Sequence, residues 1–327
     1  MSILVGARCV GLAMVLASAT ALPGAADTPL RVVATTGMIA DIAATLGAEC
    51  AEVATLIRPG TDPHLYRATP SDVRALSAAE LILYNGLGLE GQLGSVLARL
   101  SQSRPVIAVA ERAVPRDSLL DDPEEGGPDP HVWMDARLWA GTAPVLAEAM
   151  GQLRPACAEA MAERATRLEA ELAVLDGWIR ASLSSVPETA RVLVTAHDAF
   201  GYFGAAYGLE VAAIQGISTE AEASIADIRD TAALVVERGV GAVFVETTVN
   251  PRTITALVAA VADRGAEVKI GAELFADAMG PEGTPEGTYV GMMRANTRAI
   301  TDGLGGSPAP WPAELRDWAI AWGLAAP

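Results

Sequence analysis

The segment from Pro155 to Ser185 most constrains the fold. After its opening proline it has no other proline and only one glycine, Gly177, and Ala, Glu, Arg and Leu dominate it. Proline at a helix start and high helix propensity over that length predict one helix of about thirty residues, which at 1.5 Å per residue spans about 45 Å. On either side, short apolar runs alternate with helical stretches. Before it the expected strands are Leu30–Thr35, Glu52–Ile57, Leu81–Tyr84 and Pro105–Val109, with helices such as Ser71–Ser77 and Glu90–Leu100 between them. After it they are Arg191–Thr195, Glu210–Ile214, Ala242–Glu246 and Glu267–Gly271, with helices at Ser224–Arg238 and Arg252–Arg264. Such alternation predicts an α/β fold of mostly parallel sheets flanked by helices. The two sets also resemble each other. Arg31-Val32-Val33-Ala34-Thr35 answers Arg191-Val192-Leu193-Val194-Thr195, and Ser71-Asp72-Val73-Arg74 answers Ala226-Asp227-Ile228-Arg229. The expected organisation is an N-terminal lobe over 27–153, a connector helix over 154–185 and a C-terminal lobe over 186–327.

Residues 1–26 read as an export signal. Arg8 is their only charge, an apolar run extends from Val10 to Leu22, and Gly24-Ala25-Ala26 offers small residues for cleavage. No later stretch is apolar enough to span a membrane, so the expected location is the periplasm. The formal charge of −17, from 40 acidic and 23 basic residues, argues against nucleic acid and gives cations a favourable field. Cys50 and Cys157 remain after the signal, and neither lies beside a histidine. An oxidising compartment would let them pair, but sequence does not supply their distance. Pairing and two separate buried thiols both stay open, and neither cysteine is placed in a metal site. The run Arg116–Asp129, rich in Asp and Glu with Gly126-Gly127-Pro128, reads as a solvated acidic loop.

The chain has only three histidines, His64, His131 and His197. The first two sit in near-identical words, Asp62-Pro63-His64-Leu65-Tyr66 and Asp129-Pro130-His131-Val132-Trp133, and the third ends Val192-Leu193-Val194-Thr195-Ala196-His197. All three fall after strand carboxyl ends, where open α/β sheets bind ligands. Neutral imidazoles suit a borderline-soft divalent metal, and a carboxylate should close the shell. Asp198, Glu246 and Asp277 are the candidates. Asp198 adjoins His197 and points elsewhere, while position alone leaves Glu246 and Asp277 open.

The chain resembles the metal-binding receptors of bacterial ABC importers, the cluster A-I or TroA-like family, over nearly all of its length after the signal. Carrying the resemblance are Pro59-Gly60-Thr61-Asp62-Pro63-His64-Leu65-Tyr66, Tyr84-Asn85-Gly86-Leu87-Gly88-Leu89-Glu90 and Asp129-Pro130-His131-Val132-Trp133-Met134-Asp135. Thr195-Ala196-His197-Asp198-Ala199-Phe200-Gly201, Gln215-Gly216-Ile217-Ser218-Thr219-Glu220 and Glu273-Leu274-Phe275-Ala276-Asp277-Ala278-Met279-Gly280 continue it. The resemblance implies two lobes joined by a long helix, with one metal ion held between them by His64, His131, His197 and Asp277. Glu246 is then supporting. It also implies a monomer that delivers Mn²⁺, Zn²⁺ or Fe²⁺ to a membrane permease. Zinc-dedicated relatives often carry a histidine-rich loop that is acidic here, and many manganese-dedicated ones have Glu where this chain has His197. The mixed pattern leans slightly to manganese as cargo. The stiff connector implies closure confined to the loops of His197 and Asp277. The rival reading is a secreted metallohydrolase, which needs an open metal position for water, and the chain has no His-Glu-x-x-His motif. A metal-binding adhesin or chaperone without a transporter is the third reading.

Overall fold

The structure is a computed structural model that describes residues 28–122 and 126–324; the expected export signal lies outside the described residues. Strand β1 (Leu30–Ala34) is followed by helix α1 (Gly37–Gly47), β2 (Ala51–Thr55), α2 (Pro70–Ala78), β3 (Leu81–Tyr84), α3 (Gly94–Leu100), β4 (Val106–Ala108) and α4 (Val109–Ala113). The four strands form one parallel sheet in the order β2-β1-β3-β4. A short antiparallel ribbon, β5 (Asp121–Asp122) with β6 (Gly127–Pro128), leads into α5 (Ala136–Ala140) and α6 (Thr142–Leu153).

After α7 (Ala158–Leu183) come β7 (Val192–His197), α8 (Gly201–Tyr207), β8 (Glu210–Gln215), α9 (Ile225–Arg238), β9 (Ala242–Val243), α10 (Arg252–Ala262), β10 (Lys269–Ile270) and α11 (Tyr289–Gly303). β7 pairs with β8 and β9 with β10, all parallel. The Phe244 N–H donates to the Val194 carbonyl at 2.8 Å, which joins the pairs in the order β8-β7-β9-β10. The second sheet therefore repeats the order of the first. The matched words Ser-Asp-Val-Arg and Ala-Asp-Ile-Arg also find a common cause. Each opens a helix with a capping box, Thr69 with Asp72 on α2 and Ser224 with Asp227 on α9, and these satisfy amides that the first helical turn leaves unpaired.

α7 is 26 residues long and is preceded by a 3₁₀ turn at Pro155–Cys157. Its buried positions Met161, Ala165, Leu168, Leu172, Leu175, Ile179 and Ser182 recur at alternating spacings of three and four, which makes one continuous inward stripe. Its first half is tied to the first lobe, where Arg164 donates to the Leu46 carbonyl at 3.1 Å and pairs with Glu49 at 2.8 Å. Its end is tied to the second, where the Trp178 indole donates to the Ala309 carbonyl at 2.9 Å.

One alternative left open by the sequence is resolved, and one expectation is corrected. Cys50 and Cys157 form a disulfide, with Cα atoms 6.4 Å apart. The turn after α1 is brought against the start of α7 by packing between elements distant in sequence, which residue spacing does not reveal. The acidic segment is not simply solvated: Asp122 and Asp129 are buried. The β5–β6 ribbon and Tyr202 on α8 pin its base, where Tyr202 accepts from the Leu120 N–H at 3.0 Å and donates to the Asp129 carbonyl at 2.9 Å.

Candidate metal centre

The loops after the strand ends bring His64, His131, His197 and Asp277 together, each offering one donor atom within 4.8 Å of the others. His64 lies beyond β2 and His131 beyond the β5–β6 ribbon. His197 is the last residue of β7 rather than part of the following loop, and Asp277 follows β10. His131, His197 and Asp277 are almost wholly enclosed, while His64 is 5% exposed.

The repeated Asp-Pro-His word has a local physical cause. Asp62 Oδ1 accepts the His64 backbone N–H at 2.8 Å, and Asp129 Oδ1 accepts that of His131 at 2.9 Å. Each is an aspartate bonding its own backbone two residues on, a turn that proline's fixed φ at the middle position favours. The turn aims the histidine inward. The two sites then diverge. Asp62 Oδ2 reaches the second lobe, where the Thr219 hydroxyl donates to it at 2.6 Å. Asp129 Oδ1 instead also takes the His131 Nδ1 proton at 2.7 Å.

That contact decides the chemistry of His131. With Nδ1–H committed to Asp129, a neutral ring presents its Nε2 lone pair to the cluster. His197 is arranged alike, its Nδ1 lying 2.9 Å from the Gly216 carbonyl, which can only accept. The His131 Nε2 lies 3.4 Å from that of His64 and 3.3 Å from that of His197. The Asp277 oxygens stand 3.2 Å from His131 and 3.3 Å from His197, and neither accepts a hydrogen bond of proper geometry. Lone pairs and an anion facing one another out of water repel unless a cation sits among them. This donor set, three imidazoles and a carboxylate, is one that a divalent transition metal satisfies.

Surrounding contacts hold the donors in place. Glu246 is not a donor: its carboxylate accepts the Ala196 and His197 backbone N–H groups, both at 3.2 Å, and burial pushes its pKa up to about 7. Asp198 is half-buried, outside the donor group, and raised by burial. The buried Glu90 carboxylate accepts from the Thr35 hydroxyl and the Asn85 and Gly86 amides, and the Asn85 side chain donates to the Pro130 carbonyl at 3.0 Å, just before His131. The Trp133 indole donates to the Ala276 carbonyl at 3.0 Å, and the Tyr289 hydroxyl donates to the Trp133 carbonyl at 2.7 Å. These bonds lock the Asp277 loop to the His131 loop. Sequence reading missed Asp62, Asp129, Thr219 and the Glu90–Asn85 pair as site residues, although the doubled Asp-Pro-His word was the signal for the first two.

Charge and burial set the protonation states. Burial opposes a charge on His131, but the adjoining carboxylates of Asp129 and Asp277 outweigh it and push its pKa up to about 10. His197 is raised too, burial again being overcome chiefly by Asp277. His64 is pushed down to about 3, mainly by burial. Burial would raise Asp277, yet His197 and His131 hold it well below the ordinary range. A proton on His131 thus does in the metal-free protein what a metal would do. Its raised pKa stabilises the metal-free fold fully below about 6.5, and this contribution is lost as pH rises through about 10. Metal must displace that proton, so affinity is expected to rise with pH from about 6 to 9, rather than weakening only below the ordinary histidine range. Calorimetry in buffers of different ionisation enthalpy should show about one proton or more released per ion at pH 7.5. Affinity flat across that range would contradict the assignment of His131.

The buried donors converge where loops of the two α/β lobes meet, a setting in which small ligands are commonly bound. The family described as zinc-uptake complex component A, periplasmic, matches residues 32–303, and the chain belongs to that family. It is 45% identical over 280 residues to the zinc-binding protein TroA of Treponema pallidum, covering 86% of this chain and 90% of that protein. To the manganese-binding lipoprotein MntA of Bacillus subtilis it is 41% identical over 279 residues, covering 85% and 91%. Among solved structures, periplasmic zinc-binding TroA from T. pallidum aligns with a TM-score of 0.82 at 44% identity, over 85% of this chain and 99% of that one. Fe(III)-bound YtgA from Chlamydia trachomatis aligns with a TM-score of 0.77 at 28% identity, over 86% and 99%. Family and fold are those expected from the sequence.

Proposed function

We propose that this protein is the periplasmic receptor of an ABC importer, capturing one divalent transition-metal ion on His64, His131, His197 and Asp277 and delivering it to a membrane permease. The observation that carries this reading is the buried meeting of three imidazole nitrogens with a carboxylate that has no hydrogen-bond donor of its own. The lobes over 27–153 and 186–327 would hold the ion between them, with the segment 154–185 as their connector. No helix among the described residues is long and apolar enough to cross a membrane, which suits a receptor that docks on a separate permease. Family membership supports binding rather than catalysis, and four protein donors fill a tetrahedral shell that a hydrolase would leave open. Titration with a chelator-buffered divalent ion is expected to saturate at about one equivalent per chain, since one such donor group exists among the described residues. Two equivalents of comparable affinity would refute the single-site reading.

The donor set should rank Zn²⁺ above Mn²⁺ in vitro, because the affinity order of divalent ions places manganese lowest. Cargo is a separate matter, set by availability and by what the permease accepts. The relatives are named for manganese and for zinc. With an acidic segment in place of a histidine-rich one, we propose manganese as the transported ion. Growth and metal content of a deletion strain under separate manganese and zinc limitation test this. Rescue by zinc alone, with manganese content unchanged, would overturn it.

A further inference from the structure

The four donors are not held alike. His131 belongs to the first lobe by sequence, yet its segment is fastened to the second. Tyr202 on α8 donates to the Asp129 carbonyl at 2.9 Å, and Tyr289 on α11 donates to the Trp133 carbonyl at 2.7 Å. The Trp133 indole donates to the Ala276 carbonyl at 3.0 Å, beside Asp277, and the Tyr207 hydroxyl accepts the Ala136 N–H at 3.3 Å. From the rest of the first lobe comes the Asn85 side chain, which donates to the Pro130 carbonyl at 3.0 Å. His197 ends β7 and Asp277 follows β10, so both belong to the second lobe outright. We infer that His131, His197 and Asp277 form one three-donor unit carried by the second lobe, and that His64 is the detachable fourth ligand, kept in place by the Thr219 hydroxyl.

The outer nitrogens of the rings show the same division. Asp129 fixes the Nδ1 of His131, and the Gly216 carbonyl fixes that of His197. Such outer partners orient a ligating ring. The Nδ1 of His64 has no hydrogen-bond partner among the described residues. Its placement rests on its backbone, through the turn in which Asp62 Oδ1 accepts the His64 N–H at 2.8 Å. The other oxygen of that carboxylate accepts from the Thr219 hydroxyl at 2.6 Å. Among the described residues, this is the one hydrogen bond between the segment 57–66 and the second lobe. Thr219 is itself anchored, since its carbonyl accepts from the Gln215 side chain at 3.1 Å and Gln215 is the ladder partner of His197. A hydroxyl donating to a carboxylate makes a shorter and stronger bond than a neutral pair does. Thr219 therefore acts as a positioning residue. It ties the turn that aims His64 to the strand pair that carries His197. Without that bond the turn, and His64 with it, shifts with the first lobe while the other three donors stay together.

This division rests on the receptor reading, and the experiment separates the two. Release of Co²⁺ into excess chelator can be followed through tryptophan fluorescence, because the Trp133 ring lies 5.3 Å from that of His131. Thr219→Val keeps the side chain's size and loses the hydroxyl. It is expected to speed release about tenfold. Thr219→Ser keeps the hydroxyl and should release within about twofold of the parent rate. His64→Ala binds more weakly but should still take up one Co²⁺ per chain at saturation, on the three donors that remain. In that background Thr219→Val should change the release rate no further, because Thr219 acts through His64 and the two effects do not add. Release at the parent rate in Thr219→Val, or acceleration by Thr219→Val that persists beside His64→Ala, would overturn the role of Thr219. A His64→Ala protein that binds no Co²⁺, while the parent binds one, would overturn the three-donor unit. A parent protein that takes up no Co²⁺ would overturn the receptor reading itself, and the division of ligands with it.

Discussion

Asp277→Ala is expected to lower metal affinity by at least about a hundredfold, and His64→Ala, His131→Ala and His197→Ala to do comparable damage. Outer partners of metal ligands already cost roughly 10–100-fold when lost. Asp277 is a fully enclosed donor whose oxygens accept no hydrogen bond of proper geometry, so removing it leaves a buried ion short of both a bond and a charge. Each tenfold loss corresponds to about 1.4 kcal/mol. Only native-state binding stabilises, so the metal-induced rise in Tm should shrink accordingly. Asp198→Ala is the contrast: its carboxylate lies outside the donor group, and its variant should retain most of the metal-induced rise. Equal losses in Asp198→Ala and Asp277→Ala would mean that the carboxylate has been misassigned.

The second large effect concerns the fold. Replacing both Cys50 and Cys157 by serine should remove about 4–5 kcal/mol in the chain-entropy view of a loop of about a hundred residues; the bridge spans 107 positions. For a chain of this size that is a fall in Tm of about 7 °C. Both cysteines are half-buried where the turn after α1 meets the start of α7. Metal stoichiometry at low temperature should be unchanged, because neither cysteine belongs to the donor group. A double variant that melts like the parent would show that the Arg164 contacts to Leu46 and Glu49 hold this junction unaided.

The site was legible in the sequence where its causes are local. The doubled Asp-Pro-His word is a self-contained turn, and its meaning can be read without knowing what lies opposite. The βα alternation and the Gly-poor connector likewise depend on neighbouring residues, and α7 appeared almost where its composition placed it. What escaped depends on partners far along the chain. Glu246 and Asp277 both follow second-lobe strands, and nothing local shows that Glu246 turns back onto the β7 amides while Asp277 faces three imidazoles. The family resemblance, not position, chose between them. The Asp62–Thr219 and Glu90–Asn85 contacts, and the disulfide, are long-range for the same reason. Helix α11 was not expected either: its inward face includes Asn296, Thr297 and Thr301 as well as apolar residues, so its apolar periodicity is diluted. Strands β9 and β10 proved shorter than their apolar runs, since only two residues of each satisfy the ladder.

The central claim is that one ion is held by three imidazoles and one carboxylate. X-ray absorption spectroscopy of the zinc-loaded protein tests it most directly, with Asp277→Ala measured alongside. The account predicts a first shell of nitrogen and oxygen at about 2.0–2.1 Å, with the multiple-scattering signature of three imidazoles and no sulfur. In the variant one oxygen scatterer should be lost or replaced by solvent, with the imidazole signal retained. A sulfur scatterer, or a parent shell showing fewer than two imidazoles, would contradict it.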